Sequence, residues 1–157
     1  MDRIDRKILK ILSENATTAA SEMVPIVNLS IPAINKRIQK LRETGVIRQF
    51  SVLVEPEAVG KPICAYILVV IQQGADTETL MDYVYSDPDI LDCAGVTGEY
   101  DYLLKVCAAN VPALQKKITY LKKKAGIVKS HTMLSLAQYK HSISALPDEI
   151  IEKKDKP

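Results

Sequence analysis

No run of about 18 apolar residues occurs in the chain, so it offers no membrane-spanning helix. Its first residues, Met-Asp-Arg-Ile-Asp-Arg-Lys, lack the apolar centre of a secretory signal, and a cytoplasmic location is expected. Cysteine is scarce. Cys64, Cys93 and Cys107 are odd in number, have no CxxC spacing and sit among apolar neighbours. Free cysteines in such settings behave as small hydrophobes, so neither a zinc site nor a disulfide framework is expected. His131 and His141 are the two histidines, ten residues apart without clustered carboxylates, and no metal or cofactor is expected. Arginine is absent after Arg48.

The formal charge of +2 says little by itself, but its distribution is uneven. Residues 1–50 hold nine Lys and Arg against five Asp and Glu, whereas residues 51–157 hold twelve against fourteen. All five arginines (Arg3, Arg6, Arg37, Arg42 and Arg48) fall in the first part. The planar guanidinium fork suits phosphates and guanine edges, so the first part is expected to face nucleic acid. The remaining composition, 47% hydrophobic, suits one ordinary globular domain or two small ones.

Within that first part, Ser30 to Val46 reads as a helix. Ser30 is an N-cap residue whose oxygen can accept from a first-turn amide. Ile34, Ile38 and Leu41 recur on one stripe, and Gly45 supplies the stop. The other face carries Asn35, Lys36, Gln39 and Lys40, with Arg37 and Arg42 beside it and no carboxylate before Glu43. Apolar inside and basic or amide outside, this helix is suited to a DNA groove, although a solvated surface helix has the same pattern. Upstream, Ile4, Ile8, Leu9 and Leu12 mark a first helix from near Asp2, and Ala19 to Val27 a short second one. Asn28 tolerates the left-handed backbone of a tight turn. Helix, short helix, turn and basic helix make a helix-turn-helix.

The later part alternates strands and helices. Arg48 to Val54 is β-branched and reads as a hinge strand, closed by Glu55-Pro56 and the Gly60-Lys61-Pro62 loop. Ile63–Ile71, Ile90–Val96, Tyr102–Ala108 and Ile127–Tyr139 read as four further strands. A helix opened by Asp76 or Thr77 carries Leu80 and Val84, and a second, opened by Asn110 with Pro112 early, carries Leu114, Ile118 and Leu121. Lys116, Lys117, Lys122, Lys123 and Lys124 lie on its polar face and last turn, where cations suit the helix dipole. The order β-α-β-β-α-β is that of a ferredoxin-like sandwich. Its helix-free face would expose too many apolar side chains for a monomer, so a partner subunit is expected to cover it. The expected fold is α+β. A winged helix-turn-helix domain spans 1–50, a hinge strand and linker 51–61, a ferredoxin-like domain 62–141 and a charged tail 142–157.

Taken together, these segments resemble the Lrp/AsnC (feast/famine) family of transcriptional regulators over roughly residues 2–140. The resemblance rests on Asp2-Arg3-Ile4-Asp5-Arg6-Lys7-Ile8-Leu9, on Leu29-Ser30 leading to Arg37-Ile38-Gln39-Lys40-Leu41, on Gly45-Val46-Ile47, and on Val96-Thr97-Gly98-Glu99-Tyr100-Asp101-Tyr102-Leu103-Leu104. A Gly-x-Tyr-Asp turn between strands is its most specific element. The resemblance implies a DNA-binding regulator that senses an amino acid or related metabolite and forms dimers through its sheets, assembling further into tetramers or octamers. Ser30 to Arg42 would be the recognition helix, with Ile31, Pro32, Ala33, Asn35 and Lys36 toward bases and Lys40, Arg42 and Arg48 toward phosphates. Arg37 is open to either a DNA contact or a role in holding the fold. Gly98, Glu99, Tyr100 and Asp101 would bind the effector, with Thr132, Leu134 and Ser135 on the pocket wall. Asp101 would pair with its ammonium group, while the alternative is that Gly98 and Asp101 only shape the hairpin.

Three departures from the family pattern bear on DNA binding, the mildest being Pro32, which falls in the first turn after Ser30. Pro25 interrupts the second helix, where proline removes a donor and clashes with the carbonyl of Ser21, so that helix is expected to be kinked or cut short. Ala16-Thr17 stands where a basic residue is common. Two other readings therefore stay open. One is a sensing and assembly module with impaired DNA binding. The other is an enzyme like the sirohaem decarboxylases, disfavoured by the lack of arginine after Arg48 and by having only two histidines.

Overall fold

The computed structural model describes residues 1–74, 76–124, 126–142 and 144–147. Two compact units are present, the first built on Met1–Val52 and the second spanning Leu53–Tyr139. No described helix is long and apolar enough to cross a membrane. The charged tail expected over 142–157 lies outside the described residues from 148 onward.

In the first unit, α1 (Arg3–Glu14) opens with a reciprocal capping box. Asp5 N–H donates to Asp2 Oδ1 at 2.9 Å and Asp2 N–H to Asp5 Oδ2 at 3.0 Å, satisfying two amides that the helix start leaves free. Helix α2 (Ala20–Val27) ends at Asn28, which takes the left-handed conformation with φ of 55°. Helix α3 (Ile31–Glu43) follows after the Asn28–Ser30 turn. Ile8, Leu12, Met23, Val27, Ile34 and Leu41 meet in one core.

Three local expectations need correction here. Ser30 occupies the N-cap position of α3, but its side chain makes no capping bond. A capping oxygen reaches the second or third helical amide, and the second position is Pro32, which has none. Pro25 does not cut α2 short of Val27. Pro25 and Ser21 are both exposed, so water can reach the carbonyl that the proline leaves unbonded. Arg48–Val54 is not a strand, because these residues have no ladder partner, and Val52, Leu53 and Val54 stand exposed.

The second unit is a four-stranded antiparallel sheet with two helices. Its strands are β1 (Ile63–Ile71), β2 (Ile90–Gly95), β3 (Tyr102–Ala108) and β4 (Ile127–Leu134), in the order β2-β3-β1-β4. Helices α4 (Glu78–Ser86) and α5 (Val111–Lys124) give the β-α-β-β-α-β succession. Strand residues point alternately to the two faces, so one face of β1 packs Ala65, Ile67 and Val69 with Leu80, Leu104, Val106, Leu114 and Leu121. On the other face lie Tyr66, Leu68, Val70 and Leu103, all half-buried, with Met133 exposed. Strand β4 stops at Leu134 rather than Tyr139. Ser135 N–H donates to the Cys64 carbonyl at 2.8 Å as the last rung, and Pro62 ends β1 just beyond.

Strand register overturns the expectation of three free cysteines. Cys64 and Cys107 lie directly opposite each other on β1 and β3 and form a disulfide, leaving Cys93 free. Their Cα atoms are 4.2 Å apart, the close approach of a rung whose two residues do not bond each other's backbone.

Beneath the helices a polar cluster ties the second unit together. Lys117 of α5 is ion-paired with Asp87 and, at 3.0 Å, with Asp89, which also pairs with Lys61. Tyr83 Oη donates to Asp87 Oδ2 at 2.9 Å. Burial disfavours the charged form of Asp87, but bonds from Lys117, the Asp89 amide and Tyr83 outweigh it and hold the carboxyl below its ordinary range. Asp89 is lowered in the same way, against its burial, by Lys61 and Lys117.

Candidate functional site

Helix α3 presents its polar face because Ile34 and Leu41 are anchored in the core. Ile31 (44% exposed), Pro32, Asn35, Lys36, Lys40 and Arg42 are exposed, Ala33 is half-buried, and Arg48 is exposed beyond the helix end. Gln39 is engaged locally, donating to Glu43 Oε1 at 2.7 Å. Among the described residues, no ion pair engages Lys36, Lys40, Arg42 or Arg48. At Gly45 the chain turns with φ of +73°, and Ile47 N–H returns to the Leu41 carbonyl at 2.9 Å.

Arg37 is the exception among the expected DNA contacts. Its Nη1 donates to Asp2 Oδ2 at 2.6 Å and to Asp5 Oδ1 at 2.8 Å, clamping α3 onto the start of α1. Asp5 is buried, so its charge needs such a partner. The Asp5 amide, together with Arg37, holds the Asp2 carboxyl below its ordinary range. Arg37 therefore serves the fold. The sequence signal was the Asp2 and Asp5 pair three residues apart.

The turn between β2 and β3 is fixed by Asp101. Its N–H donates to the Val69 carbonyl and its carbonyl accepts from Val96 N–H, both at 2.9 Å. Its Oδ2 accepts from Ile71 N–H at 2.8 Å, where the β1–β4 register shifts. The Asp101 side chain thus shapes the hairpin, with Oδ1 left for another donor. Gly98 has φ of +113°, a conformation that glycine adopts without strain, while the space beside it is open. Lys129 of β4 lies 4.9 Å from the Tyr100 ring centroid and 3.7 Å from Glu99 Oε2. Sequence reasoning missed this residue, which reaches the turn only through the β1–β4 register.

The remaining effector candidates are not gathered at that turn. Thr132 lies opposite Ile67 and Leu134 opposite Ala65, while Ser135 is bonded to Cys64. Asp101 is bonded at Val69 and Ile71. Cys64 to Ile71 spans about 23 Å of strand at about 3.3 Å per residue, so Ser135 and Asp101 mark opposite ends of β1.

A family model of the Lrp/AsnC ligand binding domain matches residues 64–145, and one of winged helix-turn-helix DNA-binding matches residues 1–48. The chain is 33% identical over 142 residues to the HTH-type transcriptional regulator FL11 of Pyrococcus horikoshii, covering 90% of this chain and 93% of that protein. Regulatory protein AsnC of Haemophilus influenzae is 27% identical over 114 residues, covering 73% of this chain and 76% of that protein. Among solved structures, a transcriptional regulator from Neisseria meningitidis in complex with L-Met superposes with a TM-score of 0.87 at 31% identity, covering 92% of this chain and 96% of that one. Two independent domain matches in the order of the two observed units, with relatives spanning nearly the whole chain, make this protein a member of the Lrp/AsnC family of DNA-binding transcriptional regulators.

Proposed function

We propose that the protein binds its operator through the exposed face of α3 as a homodimer or larger assembly, and that an amino acid, L-methionine first among those to test, modulates that binding. The observation carrying this reading is the α3 surface: Asn35, Lys36, Lys40 and Arg42 are exposed, with the cations unpaired among the described residues. Base edges would be read from the first two turns and phosphates gripped by Lys40, Arg42 and Arg48. The continuity of α2 through Pro25 favours this over a module with impaired DNA binding. The regulators among its relatives favour it over a decarboxylase. Such a regulator would work in the cytoplasm with the DNA.

Assembly is supported by two unsatisfied features. Neither helix of the second unit lies over the sheet face bearing Tyr66, Leu68, Val70, Leu103 and Met133, whose residues point away from the α4–α5 core. The Val52–Val54 segment is exposed and, among the described residues, has no strand partner. A second copy would cover the first and offer the second a strand to pair with. Two α3 helices of a dimer would then address major grooves about one helical turn apart. The separation of Asp101 from Ser135 suits an effector pocket built from more than one subunit.

Fluorescence anisotropy on DNA from upstream of the protein's own gene, with random DNA as control, tests the reading. Tighter binding to the upstream DNA that shifts on adding L-methionine supports it, and equal binding to both DNAs counts against it. The double variant Lys40→Ala/Arg42→Ala should lower the log–log salt slope by about 1.8 for each bound subunit, at about 0.9 per phosphate contact. An unchanged slope would remove α3 as the DNA face. Asp101→Asn keeps an oxygen for Ile71 N–H and removes the charge, so it should spare folding and basal DNA binding while abolishing the response to L-methionine. A retained response would show that the turn only shapes the hairpin.

A further inference from the structure

We propose that the outer face of α5 is a second DNA-contacting surface, which grips the phosphate backbone of DNA flanking the operator without reading its sequence. This rests on the DNA-binding reading above and extends it to the second unit. Helix α5 (Val-Pro-Ala-Leu-Gln-Lys-Lys-Ile-Thr-Tyr-Leu-Lys-Lys-Lys) contains no acidic residue. Leu114, Ile118 and Leu121 face the core, and Lys117 turns inward to Asp87 and Asp89. Lys116, Lys122 and Lys123 remain exposed, and among the described residues none of them makes an ion pair. Together with Gln115, Thr119 and Tyr120 (46% exposed), Lys116 and Lys123 line a shallow cleft of about 330 Å³.

The chemistry of this stripe matches a phosphate backbone rather than bases. Its cations are all lysines, compact point charges suited to single phosphates, and the second unit contains no arginine with which to fork onto a guanine edge. Lys116 and Lys123 are seven residues apart, about 10.5 Å along the helix axis. That rise equals about three base-pair steps along the DNA axis, at about 3.4 Å each. Thr119 and Gln115 between them add neutral donors of the kind that bond phosphate oxygens. Uncompensated charge of one sign complements a polyanion, and DNA already held by α3 is present at high effective concentration.

The test compares a DNA of about 25 base pairs holding the operator alone with one of about 150 base pairs holding it centrally. It uses the full-length protein and a Lys116→Gln/Lys122→Gln/Lys123→Gln variant. Glutamine keeps helix propensity and removes only charge. The expected result is unchanged affinity for the short DNA and, on the long DNA, a salt slope lowered by up to about 2.7 with weaker binding. Slopes unchanged on both DNAs would overturn the proposal. So would a loss on both accompanied by a changed melting temperature or assembly mass, since the lysines would then serve the structure. If the wild-type protein distinguishes neither DNA from random sequence, the operator-binding reading itself fails. Repeating the salt series on random 150-base-pair DNA still judges the α5 stripe in that case, because phosphate contacts do not depend on sequence.

Discussion

Reduction of the Cys64–Cys107 bond is expected to lower the unfolding free energy by about 4 kcal/mol. The bond joins residues 43 apart, and closing a loop of that length removes entropy from the unfolded chain worth about 4 kcal/mol at room temperature. Cys107 is 2% exposed, although it points to the sheet face opposite that of core residues Val106 and Ala108. For a unit of this size, about 1 kcal/mol shifts a melting temperature by about 4–8 °C, so the effect should dominate a thermal scan. Denaturant melts of oxidised and reduced protein measure it, and Cys64→Ser/Cys107→Ser should reproduce the reduced curve. Alkylation of the denatured protein should label one thiol, Cys93, before reduction and all three after it. Three labels without reductant, or coincident melts, would refute the expectation.

That disulfide shows where reading the sequence stopped. Local signals gave good returns: the Asp2 start of α1, the left-handed Asn28, the Gly45 stop and the apolar run of β1 each act within a few residues. Cys64 and Cys107 meet only because β1 and β3 pair in one particular register, which no spacing along the chain announces. Arg37 is a similar case. Its place on a basic helix left a DNA contact and a role in the fold both open, and only the packing of α3 against α1 brings Asp2 and Asp5 within reach. Lys129 joins the Gly98–Asp101 turn through the β1–β4 ladder, and that same ladder separates the turn from Ser135. Arg48–Val54 erred in the opposite direction. Its composition favours a strand, but a strand needs a partner, and the described residues of this chain supply none.

Lys117→Met should destabilise the second unit by about 3–5 kcal/mol at neutral pH, whereas Lys116→Met next to it should change stability by less than about 0.5 kcal/mol. Both lysines belong to α5 and look alike in the sequence. The side chain of Lys117 is 18% exposed and faces Asp87 and Asp89, themselves 10% and 18% exposed. Methionine fills the space of the stem but leaves Asp87 without a cation, and the two neutral donors that remain, Tyr83 Oη and the Asp89 N–H, do not fully offset the burial of a carboxylate. The pH dependence gives the sign. In the native protein both carboxyls are held below their ordinary range, so their contribution is complete above the unfolded value of about 3.9 and is lost as pH falls through the lower folded values. Without Lys117, burial is the largest influence left on Asp87 and raises its folded pKa. The variant's Asp87 therefore protonates at a higher pH than the native one, and its deficit shrinks as pH falls toward 4. Urea melts from pH 7 to pH 4 should therefore converge for wild type and Lys117→Met. A difference constant with pH would assign the loss to packing of the stem and not to the charge.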